Sequence, residues 1–189
     1  NKEIVRIEFK IGDKLTENKN IEEKNLDTNV SFINDSFLQF SRIDRSKSFD
    51  NFVIGTSNKL AFEASKKVSE SIAQYNPLYL YAGVGMGKSH LLNAVGFKLI
   101  EKYKVTFISA ERFMYHFVKS LKTNEMVRFK ENFRNTDVLI IDDIQFMNGK
   151  EAMQEEFFHT FNALIEKGSQ IIVSADRPPN KLIKIQERI

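Results

Sequence analysis

Apolar and polar side chains alternate along residues 4–11, Ile-Val-Arg-Ile-Glu-Phe-Lys-Ile, which predicts a half-buried strand. No second strand lies next to it in sequence, so it is expected to be the C-terminal strand of a truncated N-terminal domain. Residues 12–47 are mostly Asn, Glu, Lys, Asp and Ser and predict a flexible linker. Within it, Phe32, Ile33, Phe37, Leu38 and Phe40 are the apolar exception and suggest a short docking segment.

From residue 48 the pattern changes to that of a packed domain, expected to run to residue 189. Ser57 is expected to cap a helix reaching about Gln74, with Leu60, Ala64, Val68 and Ile72 along one face. Asn76-Pro77 breaks the chain, and Leu78–Tyr81 reads as a strand. A helix is expected from the glycine-rich turn that follows to about Tyr103. Lys104–Ser109 is a second strand, followed by helices over Glu111–Leu121 and Glu125–Arg134. Asp137–Ile141 is a third strand, and Glu151–Lys167 a long helix stopped by Gly168. Gln170–Ser174 is the fourth strand. Strands that are apolar throughout and alternate with helices belong in a parallel sheet covered on both faces, so the fold class is α/β with three layers.

Composition narrows the class without naming it. The chain has 189 residues, 42% hydrophobic and 28% charged, as in ordinary globular proteins. It has no cysteine, which excludes disulfides and thiolate metal sites. His90, His116 and His159 share no paired ligand spacing. No apolar run is long enough for a membrane-spanning helix and no signal pattern opens the sequence, which suits a cytoplasmic protein. A net charge of +3 is too small to argue for nucleic acid, so any DNA contact has to come from a local patch.

The chemistry is carried by two motifs. Ala82–Ser89, Ala-Gly-Val-Gly-Met-Gly-Lys-Ser, matches the phosphate-loop template G-x-x-x-x-G-K-[ST] except at its first position, where Ala82 replaces glycine. Gly83, Gly85 and Gly87 permit the tight path that aims backbone N–H groups at phosphate oxygens, and the following helix offers its positive end. Lys88 is then expected to reach the β- and γ-phosphates and Ser89 to ligate Mg²⁺. Val138–Asp143 is a hydrophobic strand ending in two acids. Asp142 is expected near the metal and Asp143 is the candidate for polarising the attacking water. Asp143 is shorter than the glutamate common at that place, which suggests slow ATP hydrolysis suited to a switch. The fourth strand ends in Ser174-Ala175-Asp176-Arg177, where a polar side chain could sense the γ-phosphate; Asp176 is favoured over Ser174. Arg112, Lys119, Lys122, Arg128 and Lys130, with Phe113 and Tyr115, could line a DNA path, although a solvated helix face over a packed core explains them better.

Together these residues resemble one family: the DnaA family of bacterial chromosomal replication initiators, which are AAA+ ATPases. The resemblance rests on Phe49–Ala61, Asn76–Gly96, Leu139–Phe146, Gln154–Leu164 and Ser174–Arg177. It implies an AAA+ P-loop core with ATP or ADP and Mg²⁺ as cofactors. Phe52, Val53, Ile54 and Asn58 would then lie near the adenine. The helices between Arg112 and Arg134 would face single-stranded DNA in an ATP-assembled homo-oligomer, with Val118 and Lys150 at contact positions. Ala152 stands where some members carry arginine. Arg188 resembles the family's subunit-interface arginine. The family's arginine finger, helical lid and duplex-reading C-terminal domain are expected outside this sequence. An N-terminal domain would recruit the replicative helicase, and acidic lipid is a further family contact. The implied function is ATP-dependent assembly on the origin, DNA melting and helicase loading. These residues by themselves would bind nucleotide weakly, hydrolyse none usefully and not recognise duplex origin DNA. The alternative is a helicase loader or initiator-related regulator, which shares the core; residues 4–11 and the linker favour the initiator. A metabolic P-loop kinase fits poorly.

Overall fold

The computed structural model describes residues 43–182. The expected strand at 4–11, most of the expected linker and Arg188 lie outside the described residues. The elements run α1 (Lys59–Glu70), β1 (Leu78–Tyr81), α2 (Lys88–Leu99), β2 (Val105–Ser109), α3 (Ala110–Lys122), α4 (Met126–Arg134), β3 (Val138–Asp142), α5 (Glu151–Lys167) and β4 (Gln170–Ala175). Single 3-10 turns occupy Ile144–Met147 and Pro179–Lys181.

The sheet is parallel, in the order β1-β4-β3-β2. Strands β3 and β4 are buried at every residue, as a sheet covered on both faces requires. Alternate side chains feed two cores. One face sends Leu78, Leu80, Phe107, Ile140 and Ile172 toward α1 and α2. The other sends Ile108, Leu139, Ile141, Ile171 and Val173 toward α3, α4 and α5. This is the three-layer α/β sandwich expected from the pattern.

The second core is built on phenylalanine. Phe113 is fully buried and meets Phe129, Phe133 and Phe157 with ring centroids 5.3, 5.1 and 5.8 Å away, all edge-on. Aromatic pairs prefer this geometry because a ring's positive edge meets the negative face of its neighbour. The cluster ties α3 and α4 to α5. Phe157, Phe158, Phe161 and Leu164 of α5 are buried there too.

Four local expectations need correction. The helix α1 starts at Lys59 with Asn58 before it, not at a Ser57 cap, and Asn58 makes no capping bond. Its buried residues are Phe62, Ser65, Val68 and Ser69, while Leu60 is 84% exposed. The helix ends at Glu70, so Ile72 lies beyond it. Val68 is buried and Ala64 and Ile72 pack against the same core, so the stripe holds except at Leu60; the four-residue spacing missed Phe62, the largest apolar side chain in the segment. Finally, residues 43–47, assigned to the linker, are packed: Ile43 lies against α2, where a Cβ on Gly96 would meet its Cδ1 at 3.1 Å and that of Ile140 at 3.2 Å. The following turn is held by Asp44, whose carboxyl is drawn down to about 2, first by the Ser46 hydroxyl and then by Lys47.

Replacing Phe113 by Ala should cost about 3–5 kcal/mol of stability through lost transfer energy and the residual cavity. Urea denaturation monitored by circular dichroism measures it; a loss below about 1 kcal/mol would mean that the three neighbouring rings close the gap.

Candidate functional site

The candidate site lies at the carboxyl ends of β1, β4 and β3, where open parallel sheets place their ligand crevice. The phosphate loop leaves β1 at Ala82, whose N–H donates to the Ala175 carbonyl at 3.2 Å. Ala82 therefore works through its backbone, as its departure from the template suggested. Gly85 and Gly87 have φ of +77° and +85°, a conformation in which a Cβ is strained. At Gly87 space is closed as well, since a Cβ would sit 2.8 Å from the Phe52 ring. Gly83 and Gly85 have nothing within 4 Å of that position, so the outer wall of the loop is open. Lys88 Nζ donates to the carbonyls of Ala82 and Gly83 at 2.9 and 3.0 Å, folding back across its own loop. Ser89 is exposed at the first turn of α2.

The two acids sit on the far side of β4. Asp142 is buried, and its Oδ1 accepts a short hydrogen bond from the Ser174 hydroxyl. The Asp143 N–H in turn donates to Ser174 Oγ at 2.9 Å. Asp143 has a left-handed backbone with φ of +58°, which turns the chain away from β3 directly after the first acid. Its Oδ1 accepts from Gln145 Nε2 at 3.0 Å, and Gln145 Oε1 accepts the Asp176 N–H at 3.2 Å. Thus Ser174 is the side chain set between Asp142 and Asp143, while Asp176 joins the group through its backbone. The Asp176 carboxylate is gripped at both oxygens by Arg177, at 2.6 and 2.7 Å, which holds it below the usual carboxylate range. The charge of Lys88 acts on it in the same direction. Tyr79 on β1 donates to the Arg177 carbonyl at 2.9 Å, and burial pushes its phenol up to about 12.

Among the residues expected at the adenine, Phe52 touches Gly87 and stacks on Phe62 at 5.8 Å. Val53 and Ile54 follow it, 85% and 49% exposed. Asn58 shapes this loop: its Oδ1 accepts the Gly55 N–H at 2.8 Å and its Nδ2 donates to the Val53 carbonyl at 3.0 Å. Val118 on α3 is partly exposed, and Lys150 is exposed at the entrance to α5. Four contributors escaped the sequence reading: Gln145, His90, Asn93 and Asn51. Gln145 had a signal, as the single amide between Ile144 and Phe146 in an otherwise apolar turn. Asn93 and Asn51 gave none, because their partners are distant in sequence or are backbone atoms.

The oxygens on offer suit a hard cation. Ser89 and Asp142 supply a hydroxyl and a carboxylate, and no cluster of three or more metal-binding side chains exists among the described residues. Mg²⁺ in nucleotide sites is typically held by one or two such groups, with phosphate and water completing its shell. The residues present therefore fit a metal that arrives with a phosphate ligand.

These features define the class: a P-loop nucleotide-binding domain of the AAA+ type. The model of the bacterial DnaA ATPase domain matches residues 43–189, and the chain belongs to that family. The first matched residue, Ile43, is the one seated against Gly96. The chromosomal replication initiator protein DnaA of Wolbachia sp. subsp. Brugia malayi (strain TRS) is 43% identical over 195 residues. That alignment covers all of this chain and 41% of the relative, so the chain spans less than half of it. A structure of replication initiator DnaA bound to AMPPCP and single-stranded DNA superposes with a TM-score of 0.75 at 38% identity. It covers 77% of this chain and 46% of that one. Domain III of DnaA from Thermotoga maritima gives 0.75 at 39% identity, covering 78% and 63%.

Ser174→Ala would leave a buried carboxylate and the Asp143 N–H without their shared partner. A loss of about 1–3 kcal/mol is expected by chemical denaturation at neutral pH. Unchanged stability would show that water replaces the hydroxyl at no cost.

Proposed function

We propose that this domain binds ATP with Mg²⁺ and uses it as an assembly signal in a replication initiator, the assembled form gripping single-stranded origin DNA and promoting its melting and helicase loading. The observation that carries the nucleotide part is the convergence at one sheet edge: the glycine loop with Lys88 after β1, the buried Asp142 after β3, and Ser174 between them. In this reading backbone N–H groups of Gly83, Gly85 and Gly87 cradle the phosphates, and Lys88 exchanges its carbonyl partners for phosphate oxygens. Ser89 and Asp142 hold the Mg²⁺, which would neutralise charge developing on the phosphates. Asp143 orients the attacking water. Its carboxylate is shared with Gln145, which supports slow turnover. Asp176 lies within reach of Lys88's field and serves as the γ-phosphate sensor.

The DNA part is supported by the placement of α3 and by the exposed Tyr115, Val118 and Leu121 along it, 64%, 42% and 51% open to solvent. Apolar residues exposed on a helix that also carries basic residues suit base contact with phosphate attraction. Family membership favours an initiator over a helicase loader.

The test uses the protein expressed from its complete reading frame. Lys88→Ala should weaken Mg·ATP binding at least about tenfold by calorimetry, since it removes a charged phosphate contact. Retained affinity would defeat the phosphate-loop assignment.

A further inference from the structure

We infer that His90 is a positioning residue for nucleotide binding: as an obligate Nε2–H donor it clamps the segment carrying Phe52 onto the phosphate-loop helix, and so governs recognition of the base end of the ligand. This rests on the nucleotide reading above and adds to it a residue that contacts no phosphate.

His90 Nε2 lies 2.8 Å from the Ser48 carbonyl oxygen and 3.0 Å from Asn51 Oδ1. The Ser48 carbonyl can only accept. The Asn51 amide has a fixed orientation, because its Nδ2 donates to the Ser46 carbonyl at 2.5 Å while its Oδ1 accepts the Ser48 N–H at 3.0 Å. Both partners of Nε2 are therefore acceptors, and Nε2 must carry the proton. Asn51 is the hub of the turn at 46–51, and His90 pins that hub to α2. Asn93, one turn further along, adds a second clamp: its Oδ1 accepts the Asp44 N–H at 2.8 Å, and its Nδ2 donates to the Ser89 carbonyl at 2.7 Å.

The clamp ends one residue before Phe52. That ring meets the His90 ring edge-on at 5.2 Å and abuts Gly87, so Phe52 is held between His90, Phe62 and the last glycine of the loop. Immediately beyond it in sequence, Val53 and Ile54 expose two branched apolar side chains, and Phe52 itself abuts the loop at Gly87. Exposed apolar surface next to a phosphate cradle suits the flat face of a purine, and its placement depends on the segment that His90 holds. The imidazole bonds to Ser48 and Asn51, whereas the loop carbonyls of Ala82 and Gly83 are bonded by Lys88. Loss of the donor should loosen the base end and spare the phosphate end.

The experiment compares the parent, His90→Leu and His90→Gln in the protein expressed from its complete reading frame. Calorimetry measures the Kd for Mg·ATP and for Mg·tripolyphosphate, which has the phosphates and no base. His90→Leu should weaken ATP about tenfold and change tripolyphosphate by less than about twofold. His90→Gln, whose amide N–H reaches as far, should bring ATP back to within about threefold of the parent. Equal losses for both ligands in His90→Leu would overturn the inference, because a merely structural defect disturbs the whole site. So would a leucine variant that binds ATP like the parent, or a glutamine variant no better than leucine. A parent that binds neither ligand would instead sink the nucleotide reading, and this inference with it.

Discussion

A carboxylate at the end of a fully buried parallel strand cannot be left to itself. Asp142 is buried with its strand, and burying a charge without hydrogen-bonding partners is costly. Ser174 meets that demand from the adjacent strand, and the same hydroxyl oxygen accepts the backbone N–H of Asp143. One small side chain thus fixes where β3 ends, how the chain turns and which way the second acid faces. The order β1-β4-β3 makes this possible, because β4 lies between the strand bearing the loop and the strand bearing the acids. A residue at the end of β4 therefore has the loop-bearing strand on one side and the acid-bearing strand on the other. Gln145 then carries the constraint outward to Asp143 and to the backbone of Asp176.

A second constraint acts from the opposite direction. The phosphate loop needs glycine at position 87 for its left-handed backbone, and the vacancy left by the missing Cβ is filled by Phe52. The loop and the N-terminal segment are consequently built as one object. Ile43 against Gly96, Asp44 on Asn93 and the Ser48–Asn51 turn on His90 are successive fastenings of that segment along α2. Each uses a residue of the helix that starts at the loop's own lysine. Movement of α2 would be felt along the whole segment.

The sheet was legible in the sequence because parallel strands buried on both faces are written as unbroken apolar runs, and Leu78–Tyr81 and Val138–Asp142 fell within a residue of expectation. The α5 helix was legible to the residue, since Gly168 adopts the left-handed C-cap that ends it. The helix α1 was less so: Leu60 fitted a period but faces solvent, and only the tertiary position of Phe49 and Phe52 makes Phe62 the buried residue. In the site, the loop glycines, Lys88 and the acids were visible because they form local motifs. Ser174 and Asp176 stand two residues apart where β4 closes, and nothing in sequence says which one meets the acids; Ser174 lies within the strand beside Asp142, whereas Asp176 lies beyond the last strand residue. Asn58 was expected beside the base from the resemblance alone; that its side chain spans the loop at residues 53–55 had no signal in the sequence. Side chains that serve backbone atoms of another segment, such as His90 and Asn93, leave no periodic trace.

The position of Lys88 indicates where selectivity in such a site has to reside. Its ammonium has two oxygen partners in the loop, so moving to a phosphate would exchange neutral acceptors for charged ones. Gly85 and Gly87 hold the loop in its left-handed turns. On the proposed reading, phosphate recognition would be indifferent to what the phosphates are attached to. Discrimination among ligands would then fall to the other end, to the exposed Val53 and Ile54 and the loop that Asn58 ties. That surface is only as well defined as its attachment to α2. On that reading, a site whose chemistry is written in a short local motif would draw its specificity from a segment some forty residues upstream, held by hydrogen bonds the motif does not contain.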